Sequence, residues 1–465
     1  MQLIVRNQDF FKKLTAIAVP IALQNLISFG VNMADTVMVG RLGEEYLSGV
    51  ALANQFNSVF MILIFGIASG SNVMVAQYWS KRDRASIHSV MTIMYRLVAV
   101  SVLVFSYLAI FQAELVMSAF TKDTAVIEQG AAYFRIIGYT YLPAGFVSAT
   151  TIMLRAVGSV KIALVVSVST LATNVFLNWV LIFGNMGAPA MGVRGAAIAT
   201  LCARVLELII VLVYYIKFEK KLCYKIRHLF IKKVGLMRLY TKTAMPVVLN
   251  ELIWAVGAAL IAVCIGRMGR ELTAANSICQ VLGQLVTVFI FGVANASAVV
   301  VGNAVGAGEY EKAREYAKIL GWLSVLLGVI AAGVVLLLKN PMISFYNISQ
   351  EAQAYAHQII TVNAVIVFAQ SFAAISLMGI LRGGGDTRFV LLMDVLFMWV
   401  ISIPLGFISG LLFEWPVVVV YAIIKSDEWL KSFFSLKRII SGKWINDITT
   451  AAGLERGEVV QNKLN

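Results

Sequence analysis

The chain has 465 residues, of which 60% are hydrophobic and only 13% are charged, and its formal net charge is +14. Soluble domains carry about 25% charged residues, so this composition excludes an ordinary soluble globule. Apolar stretches of about 20 residues recur along the whole length, each long enough to cross a bilayer as a helix. The alternating segments of a transmembrane β-barrel are absent. We therefore expect an all-α polytopic protein embedded in the lipid bilayer.

Twelve membrane-spanning helices are predicted where apolar runs lie between charged or glycine-containing turns. Their expected positions are about 15–39, 47–76, 88–112, 130–153, 162–184, 191–216, 243–265, 272–303, 317–338, 352–380, 388–412 and 415–436. The twelfth is interrupted by Lys425, Asp427, Glu428 and Lys431. It is either a full span or a short span that continues as an amphipathic helix in the cytoplasm.

The second half of the chain repeats the first. The stretch 18–75 aligns without a gap on 244–301, with about 17 identities in about 58 positions. Pro20 matches Pro246, and Leu154-Arg155-x-x-Gly158 recurs as Leu381-Arg382-x-x-Gly385. Two markers in the same order indicate one half-protein copied once, so the twelve helices are expected to form two pseudo-symmetric six-helix lobes. An even number of helices per half makes the repeat parallel, about an axis along the membrane normal.

The basic residues lie in alternate loops. We therefore interpret the positive net charge as a sign of membrane topology and not of nucleic-acid binding. By the positive-inside rule both termini and the long basic segment between the halves are cytoplasmic. The predicted organisation is an N-lobe at 1–216, a basic linker at 217–242, a C-lobe at 243–436 and a cytoplasmic tail at 437–465. We expect a monomer in the cell membrane.

Helix 1 carries a stripe of polar residues with helical spacing, which cannot face lipid because unsatisfied polar groups are costly there. Asp35 is its only carboxylate, and an acid within a membrane helix is by default a functional hypothesis. Glu251 in helix 7 is a second candidate, either for ion coupling or as a counter-charge to a cationic substrate. Each acid has a structural alternative, Asp35 bonded to a neighbouring helix and Glu251 to a backbone amide near Pro246. Asp394 in helix 11 is a weaker candidate near the inner interface.

Other polar and aromatic residues suit the wall of a cavity that binds large organic molecules, although hydrogen bonding between helices is the alternative for each. The predicted cavity residues, besides Asp394, are Asn25, Asn32, Asn54, Tyr139, Tyr141, Asn174, Asn178, Asn250, Trp254, Asn276, Gln280 and Gln284. The two Leu-Arg-x-x-Gly turns are interpreted as structural hinges in which Arg155 and Arg382 bond the last carbonyls of helices 4 and 10. No nucleophile–base set or metal-ligand motif is apparent, so no enzyme activity and no cofactor is predicted.

Three motifs carry a family resemblance: the stretch from Asn32 to Gly43, Asn250-Glu251-x-x-Trp254-x-x-Gly257, and Leu381-Arg382-Gly383-Gly384-Gly385-Asp386-Thr387. With the two six-helix halves, the sequence resembles the multidrug and toxic compound extrusion (MATE) family of secondary transporters over essentially its whole length. The resemblance implies a cavity between two lobes and export of cationic or amphipathic compounds driven by inward H⁺ or Na⁺. It assigns ion coupling to Asp35, and Glu251 resembles the family's helix 7 glutamate.

The sequence departs from many bacterial relatives in helix 10. Those relatives hold an Asp there, whereas this chain reads Phe368-Ala-Gln370-Ser371-Phe372. The departure favours protons, or an ion site in the N-lobe alone, where Na⁺ would bind at Asp35, Asn174 and Asn178. The alternative function is a lipid-linked sugar or polysaccharide flippase of the same superfamily. Such a flippase favours a cavity rich in Arg or Lys, whereas the cavity helices here are acidic and neutral.

Overall fold

The computed structural model describes residues 8–230, 235–346 and 348–450, and the regular structure of this part is entirely helical. Eleven helices in it are long and apolar enough to cross a membrane. They are α1 (Gln8–Gly40), α2 (Glu45–Ser80), α3 (Arg84–Phe111), α4 (Thr124–Ala156), α5 (Lys161–Phe183), α6 (Gly192–Lys217), α7 (Met237–Arg267), α8 (Arg270–Gly306), α9 (Tyr310–Phe345), α10 (Gln350–Leu381) and α11 (Thr387–Leu412). The all-α expectation is confirmed. Most helices run longer than predicted, because their polar ends continue the helix beyond the apolar run.

The predicted single helix over 415–436 is wrong, whereas its alternative, a short apolar helix that continues as an amphipathic helix, matches the structure. The chain forms α12 (Val417–Ile424), a short apolar helix, and then α13 (Asp427–Ile440), which is strongly amphipathic. A turn at Lys425 and Ser426 separates them. The charged residues that interrupt the apolar pattern are the physical reason, because two acids and two lysines inside a lipid-exposed helix would be expensive. α13 buries Asp427 and Lys431 on its polar side against the protein.

The described residues divide into two compact units that do not coincide with the two sequence halves. One unit holds those within 1–22, 73–83 and 238–465, and the other those within 23–72 and 84–237. The start of α1 and the end of α2 therefore pack with the second half of the chain. α1 crosses from one unit to the other at Ala22 and Leu23, and α2 crosses at Asn72 and Val73.

Small residues of α8 explain why these two helix ends pack with the second half. A Cβ placed on Gly292 would lie 3.0 Å from the carbonyl oxygen of Ala18, and one on Gly306 would lie 2.2 Å from the carbonyl oxygen of Gln77. Helices in membranes associate mainly through such close backbone approach, since the hydrophobic effect does not drive them together in lipid. The glycines of α8 thus hold the start of α1 and the end of α2.

Gly306→Ala is expected to lower the unfolding temperature, because its Cβ overlaps the α2 backbone and overpacking costs about 1–3 kcal/mol. The matched control is Gly266→Ala, which is also helical but has open space where the new Cβ would stand, with no atom within 4 Å. Thermal unfolding in detergent checks both variants. Equal unfolding temperatures for the two would contradict the close approach of α2 and α8.

The predicted linker packs onto the protein through most of its described part. The imidazole Nε2 of His88 lies 2.7 Å from the carbonyl oxygen of Leu222, and Arg96 donates to the carbonyl oxygen of Leu229 at 2.8 Å. Lys221 donates to the carbonyl oxygen of Val157 at 2.8 Å. Residues 219–230 therefore lie against the start of α3 and the turn after α4. Lys232 and Lys233 of the linker, Arg6, and positions 451–465 of the tail lie outside the described residues.

Candidate functional site

The carboxylate of Asp35 lies in a chain of hydrogen bonds that joins α1, α5 and α6. Asn178 donates from Nδ2 to Asp35 Oδ1 and to Asn174 Oδ1, the second bond being 3.1 Å long. Asn174 in turn donates to Thr200 Oγ1 at 3.3 Å. Asn174 and Asn178 are one helical turn apart on α5 and almost fully buried. Asp35 itself is partly exposed. This arrangement brings together three of the predicted site residues.

A buried ion pair lies beside this network on α6. Arg204 contacts Glu207 at 2.9 Å, and Thr170 of α5 donates to Glu207 at 2.7 Å. Arg204 interacts electrostatically with Asp35, yet no described residue forms an ion pair with Asp35 within 4.0 Å. Glu207 neutralises the guanidinium locally, so the carboxylate of Asp35 keeps its charge uncompensated by direct contact. A carboxylate held by amides and not by a basic partner is able to gain and lose a cation.

The atoms around Asp35 fit a small hard cation or a proton. Oxygen ligands suit hard cations, and Asp35, Asn174 and Thr200 each present one. The amide oxygen of Asn178 is buried without a hydrogen-bond partner. An orphaned buried acceptor is costly and requires an explanation such as an ion. The set contains only one carboxylate, so the charge of Asp35 would balance that of one bound Na⁺ or one proton.

The structure separates the other predicted cavity residues by exposure. Trp254 is 45% exposed and Tyr139 is 58% exposed, while Tyr141 is 0% exposed and its ring packs on Phe60 with centroids 4.4 Å apart. Tyr141 is therefore a core residue of its unit, a correction to its predicted place in a cavity wall. Five of the polar residues are exposed or partly exposed, namely Asn25, Asn32, Asn54, Gln280 and Gln284. Asn250 and Asn276 are buried. Polar side chains exposed at mid-helix are costly in contact with lipid, because hydrocarbon leaves their hydrogen bonds unmade.

Glu251 belongs to a buried ion pair in the other unit. Its carboxylate lies 2.7 Å from the guanidinium of Arg382, and the side chains of Arg382 and Glu251 are 4% and 12% exposed. The interpretation of Glu251 as an ion-coupling group is not supported, because a permanent basic partner holds its charge. The predicted role of Arg382 is also corrected: it bonds a side chain of α7 and not the last carbonyls of α10.

The same contact recurs in the first half with a neutral partner. Arg155 donates to the amide oxygen of Gln24, and both this pair and Arg382–Glu251 are 131 residues apart. The repeat therefore preserves an arginine that reaches from the Leu-Arg-x-x-Gly turn to the first helix of its own half. Its acceptor is an amide in one half and a carboxylate in the other. The predicted role of Arg155 is therefore corrected in the same way as that of Arg382: it bonds a side chain of α1 and not the last carbonyls of α4.

Glu251→Gln is expected to be milder than Glu251→Ala, because the Arg155–Gln24 pair provides a natural precedent for an amide in this position. Glu251→Ala leaves Arg382 buried without an acceptor and is expected to cost about 3–5 kcal/mol of stability. Thermal unfolding of the two variants, with transport measured alongside, separates them. If Glu251→Gln transports normally, Glu251 does not couple the ion; if it abolishes transport without unfolding the protein, our structural interpretation is wrong.

Asp394 is also paired and buried. Lys431 of α13 contacts Asp394 of α11 at 2.6 Å and Asp427 at 2.8 Å. Burial alone would lower the pKa of Lys431, but the adjacent carboxylates outweigh it and hold that pKa above its ordinary value. The prediction that Asp394 lines a substrate cavity is corrected: it anchors α13 to α11.

Thr200 is a site residue that sequence reasoning missed. Its hydroxyl accepts from Asn174 and donates to the carbonyl oxygen of Ala196 at 3.0 Å. It stands one helical turn before Arg204, on the same face of α6. That spacing is a usable signal in the sequence, since Thr200, Arg204 and Glu207 recur at helical spacing on one face of α6.

Comparisons with known proteins place the chain among membrane transporters. A profile of the MatE family matches residues 20–180 and 246–408. The probable multidrug resistance protein NorM of Thermotoga maritima is 24% identical over 437 residues, covering 93% of each chain. The uncharacterized transporter YisQ of Bacillus subtilis is 23% identical, covering 92% of this chain and 93% of its own.

Solved structures agree on the fold. A MATE protein crystallised with the ligand MaL6 has a TM-score of 0.82 and 18% identity, covering 93% of this chain and 97% of its own. A transporter of Pyrococcus furiosus, described as having a binding pocket of reverse polarity, has a TM-score of 0.80 at 18% identity, covering 93% of this chain and 96% of its own. At these identities the likeness carries the fold alone.

Proposed function

Because the chain belongs to the MatE family of membrane transporters, we propose that it is a secondary antiporter that exports cationic or amphipathic organic compounds in exchange for H⁺ or Na⁺. It is a multi-pass membrane protein and a transporter, not an enzyme. The observation that carries the proposal is the Asp35 carboxylate, held by the amide of Asn178 without a basic partner in contact. That group changes charge when a cation binds, and a charge change is what couples an ion to a conformational equilibrium.

The proposed coupling site is confined to one unit. It comprises Asp35, Asn174, Asn178 and Thr200. Glu251 and Asp394, the other acids considered, are each held by a buried basic residue. Of these three acids, Asp35 is the one without a basic residue in contact. This supports an exchange in which Asp35 takes up one H⁺ or one Na⁺. The single carboxylate favours H⁺, because Na⁺ sites gain affinity from additional charged ligands.

The contacts within each unit support the proposed orientation. In one unit the end of α2, the turn between α8 and α9, the turn between α10 and α11 and the segment after α13 meet through Gln77, Ser80 and Tyr310. In the other unit the linker meets the start of α3 and the turn after α4. Basic residues lie in or close beside these segments, such as Lys81, Arg382 and Lys443. The positive-inside rule therefore supports a cytoplasmic position for all of them. We propose that both termini are cytoplasmic and that the protein acts as a monomer.

A lipid-linked sugar flippase is the competing function. It would need arginines or lysines free to hold a pyrophosphate. Arg204 and Arg382 are neutralised by glutamates, and Arg96 is engaged by a backbone carbonyl. Arg155, bonded to Gln24, is one basic group without a carboxylate in contact. A single arginine is a poor match for a doubly charged pyrophosphate, which supports the drug antiporter.

Transport in proteoliposomes tests the proposal. Vesicles containing the purified protein are loaded with ethidium as the probe, and a pH gradient or a Na⁺ gradient is imposed separately. Ethidium movement against its own gradient under either ion supports the antiporter and identifies the ion. Movement of a fluorescent lipid-linked sugar with no response of ethidium would establish the flippase and reject the antiporter. Protein-free vesicles are the control for leak.

A further inference from the structure

The segment that follows α13 returns to the protein and packs into it. Gly442 adopts a φ of +69°, which reverses the chain after Ile440. Trp444 is then 0% exposed and Ile448 is 7% exposed, whereas Lys443 between Gly442 and Trp444 is exposed. We call residues 442–449 the C-terminal clamp. A segment with little regular secondary structure buries its side chains in this way only where the rest of the protein offers a complementary surface, which we call its seat.

The seat is the glycine turn between α10 and α11. The Asn446 amide donates to the Gly384 carbonyl oxygen at 2.7 Å. A Cβ on Gly384 would lie 2.3 Å from the indole of Trp444, and one on Gly385 would lie 2.6 Å from the carbonyl oxygen of Asn446. No residue larger than glycine fits at either position while the clamp is in place. Gly384 and Gly385 are therefore explained by the clamp and not by the turn alone, whereas Gly383 approaches Ala298 of α8.

Gln77 at the end of α2 joins the clamp to the glycine turn. Its amide nitrogen donates to the carbonyl oxygens of Gly383 at 3.2 Å and Asn446 at 3.3 Å, and its amide oxygen accepts from the Ile448 amide at 3.0 Å. The side chain is 0% exposed. Every hydrogen-bonding group that its amide uses is thus directed at the clamp or its seat. On the α9 side, Tyr310 donates to Asp447 at 3.1 Å.

The contact between Gln77 and the clamp affects the rest of α2, because α2 is one continuous helix that belongs to both units. Its residues up to Asn72 pack in one unit, and those from Val73 pack in the other. A bend or shift in the first part of α2 is therefore passed along the helix to its end at residues 73–80. The clamp holds that end to the second half of the chain through Gln77. Release of the clamp would leave the end of α2 held by the α8 glycines and by Ser80, which donates to the carbonyl oxygen of Asn303 at 2.7 Å.

We propose that the C-terminal clamp is a conformational device: seated, it fixes the end of α2 to the turn between α10 and α11, and it leaves its seat once in each transport cycle. The inference rests on the transport cycle proposed above. A bistable element of this kind is what alternation between two states requires. The buried side chains of Trp444 and Ile448 and a few hydrogen bonds hold the clamp, and such contacts can open and form again.

Hydrogen exchange of the full-length protein in lipid nanodiscs or proteoliposomes tests the clamp. In wild-type protein that is actively transporting ethidium, exchange of the peptides covering 73–80 and 442–449 is expected to be faster than at rest by about tenfold or more, since opening exposes amides that closure protects. Trp444→Ala is expected to give the fast exchange of 73–80 already at rest. Lys443→Ala, an exposed neighbour, is the matched control and is expected to keep the resting rate.

The outcomes separate the clamp from the transport proposal. If wild-type protein transports but the two peptides exchange equally at rest and during transport, the segment is a static brace and the clamp is overturned while the antiporter stands. Absence of transport in wild-type protein would count against the antiporter. If Trp444→Ala does not insert into the membrane, Gln77→Met takes its place in the experiment. Methionine is apolar and similar in length to glutamine, so this substitution removes the hydrogen bonds without removing the side chain. Resting exchange of 442–449 at the wild-type rate in Gln77→Met would also overturn the clamp.

Discussion

Asp35→Asn is expected to abolish gradient-driven export of ethidium, lowering the initial rate on the order of 100-fold, the upper range of measured couplings between sites. The asparagine has the same shape and can still bond the amide of Asn178, so the network between α1 and α5 survives. What it loses is the charge, and with it the ability to bind H⁺ or Na⁺ in one conformation better than in the other. Without that difference the ion gradient cannot drive the substrate. Initial rates in proteoliposomes under an imposed gradient are the measurement.

Two variants control the Asp35→Asn experiment. Glu45→Gln removes an exposed acid near the start of α2 and is expected to leave the rate unchanged. Asp35→Glu retains the carboxylate at a displaced position and is expected to keep part of the activity. Equal unfolding temperatures for wild-type protein and Asp35→Asn establish that the variant is folded. Full gradient-driven export by a folded Asp35→Asn would remove Asp35 from the mechanism.

The substitution Asn178→Asp would discriminate between H⁺ and Na⁺ as the coupling ion. It places a second carboxylate beside Asp35, where the amide oxygen of Asn178 now lacks a partner. Two carboxylates with the oxygens of Asn174 and Thr200 suit Na⁺ better than one does, because each added charge strengthens cation binding. We expect Na⁺ to drive or stimulate export in this variant by about tenfold more than in wild-type protein. An unaltered response to Na⁺ would argue that the cation does not approach Asn178.

The sequence predicted the all-α fold and the grouping of Asp35 with Asn174 and Asn178, because both depend on local patterns. Apolar length marked the spans, and the polar spacing along helix 1 placed Asp35 on a face turned away from lipid. The pairing with Asn178 follows the same logic, since Asn174 and Asn178 form a polar line on α5 that must meet another polar surface. Their union in one hydrogen-bonded chain was a natural consequence of two polar stripes in an apolar bundle.

The pairs Arg382–Glu251 and Lys431–Asp394 could not be foreseen, because their partners are distant in sequence and lie in elements with another apparent role. Arg382 belongs to a turn motif that looked self-sufficient, and its separation of 131 residues from Glu251 carries no local signal. Lys431 was expected within a membrane span or a cytoplasmic amphipathic helix, where a lysine usually extends its amine toward water. Burial against Asp394 became visible only once α13 was seen to fold back as a separate amphipathic helix.

Lys431→Met is expected to be about as destabilising as Glu251→Ala, because both leave buried charges without a partner. The amine lies between Asp394 and Asp427, and the side chains of Lys431, Asp394 and Asp427 are 4%, 10% and 9% exposed. Removing one member of a buried ionic group leaves the remaining charges uncompensated, at a cost of about 3–5 kcal/mol. Thermal unfolding in detergent should show a large decrease in the unfolding temperature, with Lys437→Met as the exposed control on the same helix.

The group formed by Lys431, Asp394 and Asp427 also allows a test in which two further substitutions restore stability. They would not do so if Lys431→Met had only removed packing contacts. Combining Lys431→Met with Asp394→Asn and Asp427→Asn removes both orphaned charges, and replacing a buried ionic group by neutral residues is often close to neutral for stability. The triple variant should therefore unfold at a higher temperature than Lys431→Met alone. If it unfolds at the same temperature, the lost contribution is the packing of the lysine side chain and not its charge. Because α13 leads directly into residues 442–449, recovery of stability should be accompanied by recovery of slow hydrogen exchange in that segment.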